Sequence, residues 1–169
     1  QASEFINGAA LGSVIGSGKV PGCRGEDTVS EKIRFSYFLK ELYNEGQLFY
    51  RCSGVKPKDR IRAWINHLTL CLAGDLNGIK KQTMLVGKDA SFIYDALAPE
   101  KAHGILCKLL AFYFEGLEKP LHFFPESSFV FFQKSMEGAG KEKALDAALK
   151  KWEPSYANRF PESDDPYNQ

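Results

Sequence analysis

Residues Gly46 to Gly74 read GQLFYRCSGVKPKDRIRAWINHLTLCLAG: a short strand, a turn, and the best amphipathic helix in the chain. Gln47-Leu48-Phe49-Tyr50-Arg51-Cys52 is rich in aromatic residues and bounded by Gly46 and Gly54, which is the composition and punctuation of a strand. Ile61, Trp64, Ile65, Leu68 and Leu72 then recur along one helix face, and Gly74 stands where a C-terminal cap belongs. The spacing predicts a helix over about 58–73. A strand feeding a helix is where α/β enzymes keep their chemistry, so the residue types at this junction bear on function as much as on fold.

Upstream, Asn44-Glu45-Gly46 is a hairpin turn in which Gly46 can take a left-handed conformation. Ile33-Arg34-Phe35-Ser36-Tyr37 alternates as a strand and continues towards Tyr43. Phe5-Ile6-Asn7-Gly8 opens the chain, and Ala10 to Gly16 reads as another strand. Residues 17–30 are polar and rich in glycine, which predicts a loop insertion. Downstream, strands are expected at Thr83–Val86 and, paired with it, Ser91–Tyr94. Pro99 suits the first position of a second helix, with Ala102, Ile105, Leu106, Leu109 and Tyr113 on its apolar face and Gly116 at its end. Pro120 to Pro125 is an extended connector, and Phe129 to Phe132 fits either a buried helix or a strand. After Gly138-Ala139-Gly140, a last helix places Ala144, Leu145, Ala148, Leu149 and Trp152 on one side, and 155–169 reads as a loose acidic tail.

The 169 residues suffice for one domain with a core, and 44% hydrophobic against 25% charged residues describes a globular chain rather than a disordered one. A net charge of +1 leaves no general attraction for nucleic acid, so any such role must rest on a local patch. The longest apolar run, Leu109 to Phe114, is far short of the roughly 20 residues of a membrane span. The N-terminus lacks the pattern of a secretory signal and begins at Gln1 without Met, the expectation for a fragment of a longer chain. Cys23, Cys52, Cys71 and Cys107 form no CxxC pair. The last three lie in periodic apolar segments, which predicts buried reduced thiols and a cytoplasmic protein.

Gly16-Ser17-Gly18-Lys19 is not a phosphate loop: Ser13 stands where the first glycine belongs and Val20 where the magnesium-binding hydroxyl belongs. His67 and Cys71 lie one helical turn apart, as do His103 and Cys107, and two such pairs on facing helices could in principle bind zinc. Core-facing thiols flanked by partly exposed histidines are the favoured reading, and no GxSxG-type signature points to a nucleophile. The basic run carries more. Arg51, Lys56, Lys58, Arg60 and Arg62 gather around the start of the central helix with only Asp59 opposing them. Cations there oppose the helix dipole, which makes an external anion a reason for them; a solvated helix end is the equally weighted alternative.

These stretches together resemble the RecC (exodeoxyribonuclease V gamma chain) family. Arg60 to Gly74 is similar to the family segment with Trp, His-Leu, Cys and a closing Gly, and Asn44 to Arg51 to the hairpin before it. Pro120 to Ser127 resembles the "PL…PES" stretch, and Glu162 to Tyr167 the acidic "DDPY" end. The resemblance runs from about Ile6 onwards, with 17–30 as a departure, and implies a single RecC C-terminal-like domain over 1–169. It implies an α/β (α+β) fold: a core sheet like that of the PD-(D/E)xK nucleases, flanked by helices, with a helical C-terminal portion. Laying the "GRID" and "DYKTG" patterns of RecB-type nucleases on this chain puts Ile15 and Tyr50 at the acids and Cys52 at the lysine. No Asp or Glu in the chain is followed two residues later by Lys. An apolar residue, a phenol and a thiol cannot hold a hard cation. The expectation is a nuclease fold without catalytic residues, metal or cofactor: a structural, DNA-contacting domain of the RecBCD helicase-nuclease. Its expected partners are RecB-like and RecD-like subunits and DNA, with no membrane. Two alternatives are an active nuclease with relocated acids, for which Asp75, Asp89 and Asp95 are first suspects, and a pure protein-interaction module.

Overall fold

The computed structural model describes residues 4–6, 9–20, 29–156 and 158–164, with side chains from Ser36 onward. It is a mixed α/β chain, as expected. Strands β1 (Glu4–Ile6), β2 (Ala9–Val20) and β3 (Val29–Leu39) form an antiparallel sheet in sequence order. A second sheet has the order β4 (Leu42–Tyr43), β5 (Gly46–Tyr50), β6 (Thr83–Val86), β7 (Ser91–Tyr94). Helices α1 (Pro57–Leu72), α2 (Pro99–Glu118), α3 (Pro125–Met136) and α4 (Lys141–Trp152) follow, with a 3-10 turn at Glu162–Asp164. The chain divides into two compact units, Gln1–Val55 with Asp59–Leu121, and Lys56–Lys58 with His122–Gln169. β2 and β3 pair out to Val20 and Val29, so backbone pairing reaches into both ends of 17–30, while 21–28 lie outside the described residues.

In the first unit the Gly46–Gly74 stretch organises the rest. β4 and β5 pair antiparallel around Asn44 and Glu45. Gly46 has φ of 121°, and a Cβ there would lie 2.1 Å from the Gln82 carbonyl oxygen, so both backbone conformation and crowding require glycine. β5 then feeds α1, and β6 returns parallel to β5, with β7 antiparallel beyond it. The register aligns Gln47, Thr83 and Tyr94 in one row and Phe49, Leu85 and Phe92 in another. Both rows face α1: Thr83 meets His67, Tyr94 tilts against Trp64, and Phe92 lies beneath Arg60.

The predicted apolar face of α1 is narrower than the buried one. Trp64, Ile65 and Leu72 are half-buried, whereas His67, Leu68, Thr69, Leu70 and Cys71 are buried in succession. A helix covered on one side only buries a stripe. This one is covered on two. Leu70 and Ala73 pack with Tyr37, Leu39, Leu42 and Leu76, while Leu68 and Cys71 pack with Ala102 of α2. Its end also differs from expectation. Lys81 Nζ donates to the carbonyls of Cys71 (3.1 Å) and Ala73 (2.7 Å), satisfying acceptors left open by the last turn. The left-handed residues are Asn77 and Gly78 in the following turn, not Gly74. α2 likewise continues through Gly116 to Glu118.

In the second unit, residues 129–132 belong to helix α3. Its first amides are capped by the Glu162 carboxylate, which accepts from Glu126 N (3.0 Å), Ser127 N (2.9 Å) and Ser127 Oγ (2.6 Å). Ala144 and Ala148 are the buried residues of α4, and Phe124 packs on Trp152 with ring centroids 4.4 Å apart. Asn158 Nδ2 donates to the carbonyls of Lys150, Lys151 and Glu153, capping the C-terminal end of α4. Leu145 and Leu149, expected on the apolar side, are exposed.

Candidate functional site

The carboxyl ends of the parallel strands β5 and β6 and the first turn of α1 meet where open α/β sheets form ligand clefts. Two loops brace each other there. Arg51 N donates to the Val86 carbonyl (2.9 Å), Lys88 N to the Ser53 carbonyl (3.1 Å), and Val55 N to Asp89 Oδ1 (2.8 Å). A Cβ on Gly87 would come within 2.4 Å of Val55 Cγ2 and 3.1 Å of Ser53 O, so the approach depends on glycine.

The predicted basic residues have separate tasks. Arg51 is half-buried and turned onto the first turn of α1: its Nη1 donates to Asp59 Oδ1 (2.9 Å) and Oδ2 (2.7 Å), and its Nε to Ser53 Oγ. Asp59 thus places a carboxylate at the positive end of the helix and neutralises the cation that the strand end brings to it. The Arg60 guanidinium carbon lies 4.4 Å from the centre of the Phe92 ring, a cation–π contact that fixes its stem against β7. Arg62 is exposed on α1, and its carbonyl accepts from Asn66 Nδ2. Lys56 and Lys58 are exposed and group with the second unit, whereas Arg51, Arg60 and Arg62 belong to the first.

The acids proposed as relocated ligands each hold backbone or side chain. Asp75 Oδ1 accepts from Gly78 N (3.3 Å), Asp89 Oδ1 from Val55 N, and Asp95 Oδ1 from Gln82 Nε2 (2.9 Å). Among the described residues, no three His, Cys, Asp or Glu side chains come together in a way that could hold a metal ion. Ile15 pairs with Arg34 in the β2–β3 ladder, Tyr50 ends β5 in the other sheet, and Cys52 follows in the loop. A magnesium ion, which a PD-(D/E)xK fold implies, finds no carboxylate among these three positions, and the donor set does not fit it.

Of the histidine–cysteine pairs, His103 is half-buried and Cys71 buried as expected, whereas Cys107 is only half-buried and His67 departs most. His67, expected as a partly exposed flank, is fully buried. Its Nε2 lies 2.9 Å from the Asp95 carbonyl oxygen, which can only accept, so Nε2 carries the hydrogen and Nδ1 accepts from Thr83 Oγ1 at 3.1 Å. Trp64 stacks on the ring and Tyr94 tilts against it. Burial pushes the His67 pKa down, against smaller opposing effects from Asp95. Cys71 Sγ lies 3.5 Å from His67 Nε2 and accepts from Leu97 N, and burial pushes its thiol pKa up. Such a thiol is inert. His103 and Cys107 touch each other on α2 at 3.7–3.8 Å. Cys52 is exposed rather than buried, because it lies in the bend beyond the last paired residue of β5. Sequence reasoning missed Asp59 as the partner of Arg51, Thr83 and the Asp95 carbonyl as partners of His67, and Glu162 as the cap of α3. Only Asp59, the one acid in the basic run, carried a local signal.

Comparison with known proteins bears on this geometry directly. The family model described as the RecC C-terminal domain matches residues 25–136. The chain belongs to the RecC C-terminal domain family. It is 28% identical over 91 residues to the RecBCD enzyme subunit RecC of Buchnera aphidicola subsp. Acyrthosiphon pisum, covering 54% of this chain and 8% of that protein. With the RecBCD enzyme subunit RecC of Escherichia coli (strain K12) it shares 28% identity over 101 residues, 60% of this chain and 9% of the relative. The matched part of the chain therefore spans less than a tenth of the length of these curated relatives. The matched residues cover the Gly46–Gly74 stretch and α3 but stop before the "DDPY" end.

Proposed function

We propose that this chain is a non-catalytic structural domain of a RecBCD-type helicase-nuclease, contacting DNA or a partner subunit through its basic residues in double-strand-break repair. The observation that carries the reading is the strand-to-helix junction of a RecC-family chain: Tyr50 and Cys52 stand where a nuclease needs charge, and Arg51 is bound to Asp59. The hairpin β4–β5, the crossover helix α1 and the parallel return to β6 support a PD-(D/E)xK-like core. The family match runs through parts of both compact units, which supports treating 1–169 as one RecC C-terminal-like domain. RecB-like and RecD-like subunits as partners, a cytoplasmic setting and the lack of a cofactor follow from the same reading. The established binding of Asp75, Asp89 and Asp95 to other groups weighs against relocated catalytic acids.

Two measurements test it. Linear duplex DNA incubated with the chain and magnesium or manganese is expected to stay intact; metal-dependent cleavage lost in Asp89→Asn or Asp95→Asn would overturn the non-catalytic reading. Reversing Lys56, Lys58, Arg60 and Arg62 to Glu in the full RecC-type subunit is expected to weaken DNA binding and unwinding by the assembled complex. Unchanged binding and unwinding would leave a pure protein-interaction module. Arg51 is kept in that variant, since reversing it would strand Asp59 beside another acid.

A further inference from the structure

Among the described residues of the first unit, α1 packs on one side of the second sheet and the other side is exposed. Along its rows, the residues that alternate with those facing α1 are Leu48, Met84 and Ile93, then Tyr50, Val86 and Ser91. Tyr50 is 71% exposed, Ile93 57%, Tyr43 53% and Met84 37%. Tyr43 shares this side: it pairs with Gly46, which is in phase with Leu48 and Tyr50. A parallel strand pair with one open side is unusual, because crossover connections normally cover both faces with helices.

Size and charge select the occupant. Four strands of two to five residues, about 4.8 Å apart with about 3.3 Å per residue, present a footprint on the order of 250 Å². A second copy of the chain would need about 800 Å² per partner for a stable dimer. A single helix about 10 Å wide and 15 Å long, roughly ten residues, lies within the footprint and covers more than half of it. β4 to β7 contain no charged residue, so a phosphate backbone finds no counter-charge on this side. At its borders stand Glu41, which accepts from the Tyr43 hydroxyl, and Asp95, which accepts from Gln82; of the cations at the strand ends, Arg51 is bound to Asp59 and Lys88 is exposed. Aromatic and methionine side chains with a polar border are the makeup of a protein interface.

We propose that the open side of the β4–β7 sheet docks one amphipathic helix of a protein partner, with an apolar stripe on Tyr43, Leu48, Tyr50, Met84 and Ile93 and basic residues flanking it. This deepens, and rests on, the reading of the chain as a scaffold within a complex. The probe is a fluorescein-labelled twelve-residue peptide with leucine at helical spacing and lysine elsewhere, compared by anisotropy with a scrambled peptide of the same composition. The patterned peptide is expected to bind at least about tenfold more tightly than the scrambled one. Tyr50→Asp and Ile93→Asp are each expected to remove that difference, and the milder Tyr50→Ser and Ile93→Thr to reduce it with far-UV circular dichroism unchanged. Equal binding of the two peptides, or binding indifferent to all four variants, overturns the proposal. So does a dimer, seen by sedimentation, that the same variants dissolve, or an oligothymidylate complex that they abolish. The charge-reversed variant tests DNA contact and the sheet-face variants test docking, so either reading can fail without the other.

Discussion

His67 shows how much of a site is decided one residue at a time. Its spacing from Cys71 favoured a partly exposed flank over a metal ligand, yet the ring is buried with both nitrogens taken by Thr83 and the Asp95 carbonyl, which holds it neutral in the core. The direction of its pKa fixes a pH dependence. The folded value lies below the ordinary value of about 6.5, so above neutrality the group is uncharged in both states and adds no slope. As pH falls through about 6.5 the unfolded chain takes the proton first, and stability falls by up to about 1.4 kcal/mol per pH unit until the folded site protonates too. Urea midpoints at pH 7.5, 6.0 and 5.0 are expected to fall more steeply in the parent than in His67→Gln; parallel slopes would show that His67 is not the source. Nothing local to His67 in the sequence announced its partners, which come from 16 and 28 residues away. The Arg51–Asp59 pair was nearer to legible, because one acid stood among five cations.

At the scale of elements, hydrophobic period and turn chemistry carried most of the reading. The hairpin at Gly46, α1, the β6–β7 pair, α2 and α4 are where the spacing puts them, give or take a turn at the ends. Three points were not legible. Residues 129–132 were too few for periodicity to separate helix from strand, and the Glu162 cap at the first turn of α3 is a long-range contact. The buried surface of α1 is wider than a stripe because strands and α2 cover two of its sides. Its C-terminus uses Lys81 where glycine was expected. The hairpin itself yields a sharp test. Gly46→Ala combines a positive φ with a Cβ driven into the Gln82 carbonyl, and an expected loss of about 3 kcal/mol or more is readable from denaturant midpoints. Gly78→Ala, with nothing near its Cβ, pays only for its φ of 79° and is expected to lose about 1 kcal/mol.

At the scale of the molecule, the two compact units are held by different means. The first has a core of strands on α1 and α1 on α2. Among its described residues the second buries little beyond Ala144, Ala148 and Pro161, and it relies on the segment where Asn158 caps α4 and Glu162 caps α3. Glu162→Gln removes the charge from that cap, worth about 1–2 kcal/mol at a partly buried helix N-terminus. Hydrogen exchange at Glu126 and Ser127 is expected to speed up roughly tenfold while β5 and β6 amides stay unchanged; a uniform rise across both units would show that they unfold as one. No helix among the described residues is long and apolar enough to cross a membrane. The sequence by itself determined the family and the mixed α/β class, because residue identity and period are local properties. Only the tertiary structure decided which cations are neutralised, which acids are committed to loops, and which side of the Gly46–Gly74 strand lies open. Those depend on hydrogen bonds and covers supplied by residues tens of positions away, and neither composition nor spacing encodes who those neighbours are.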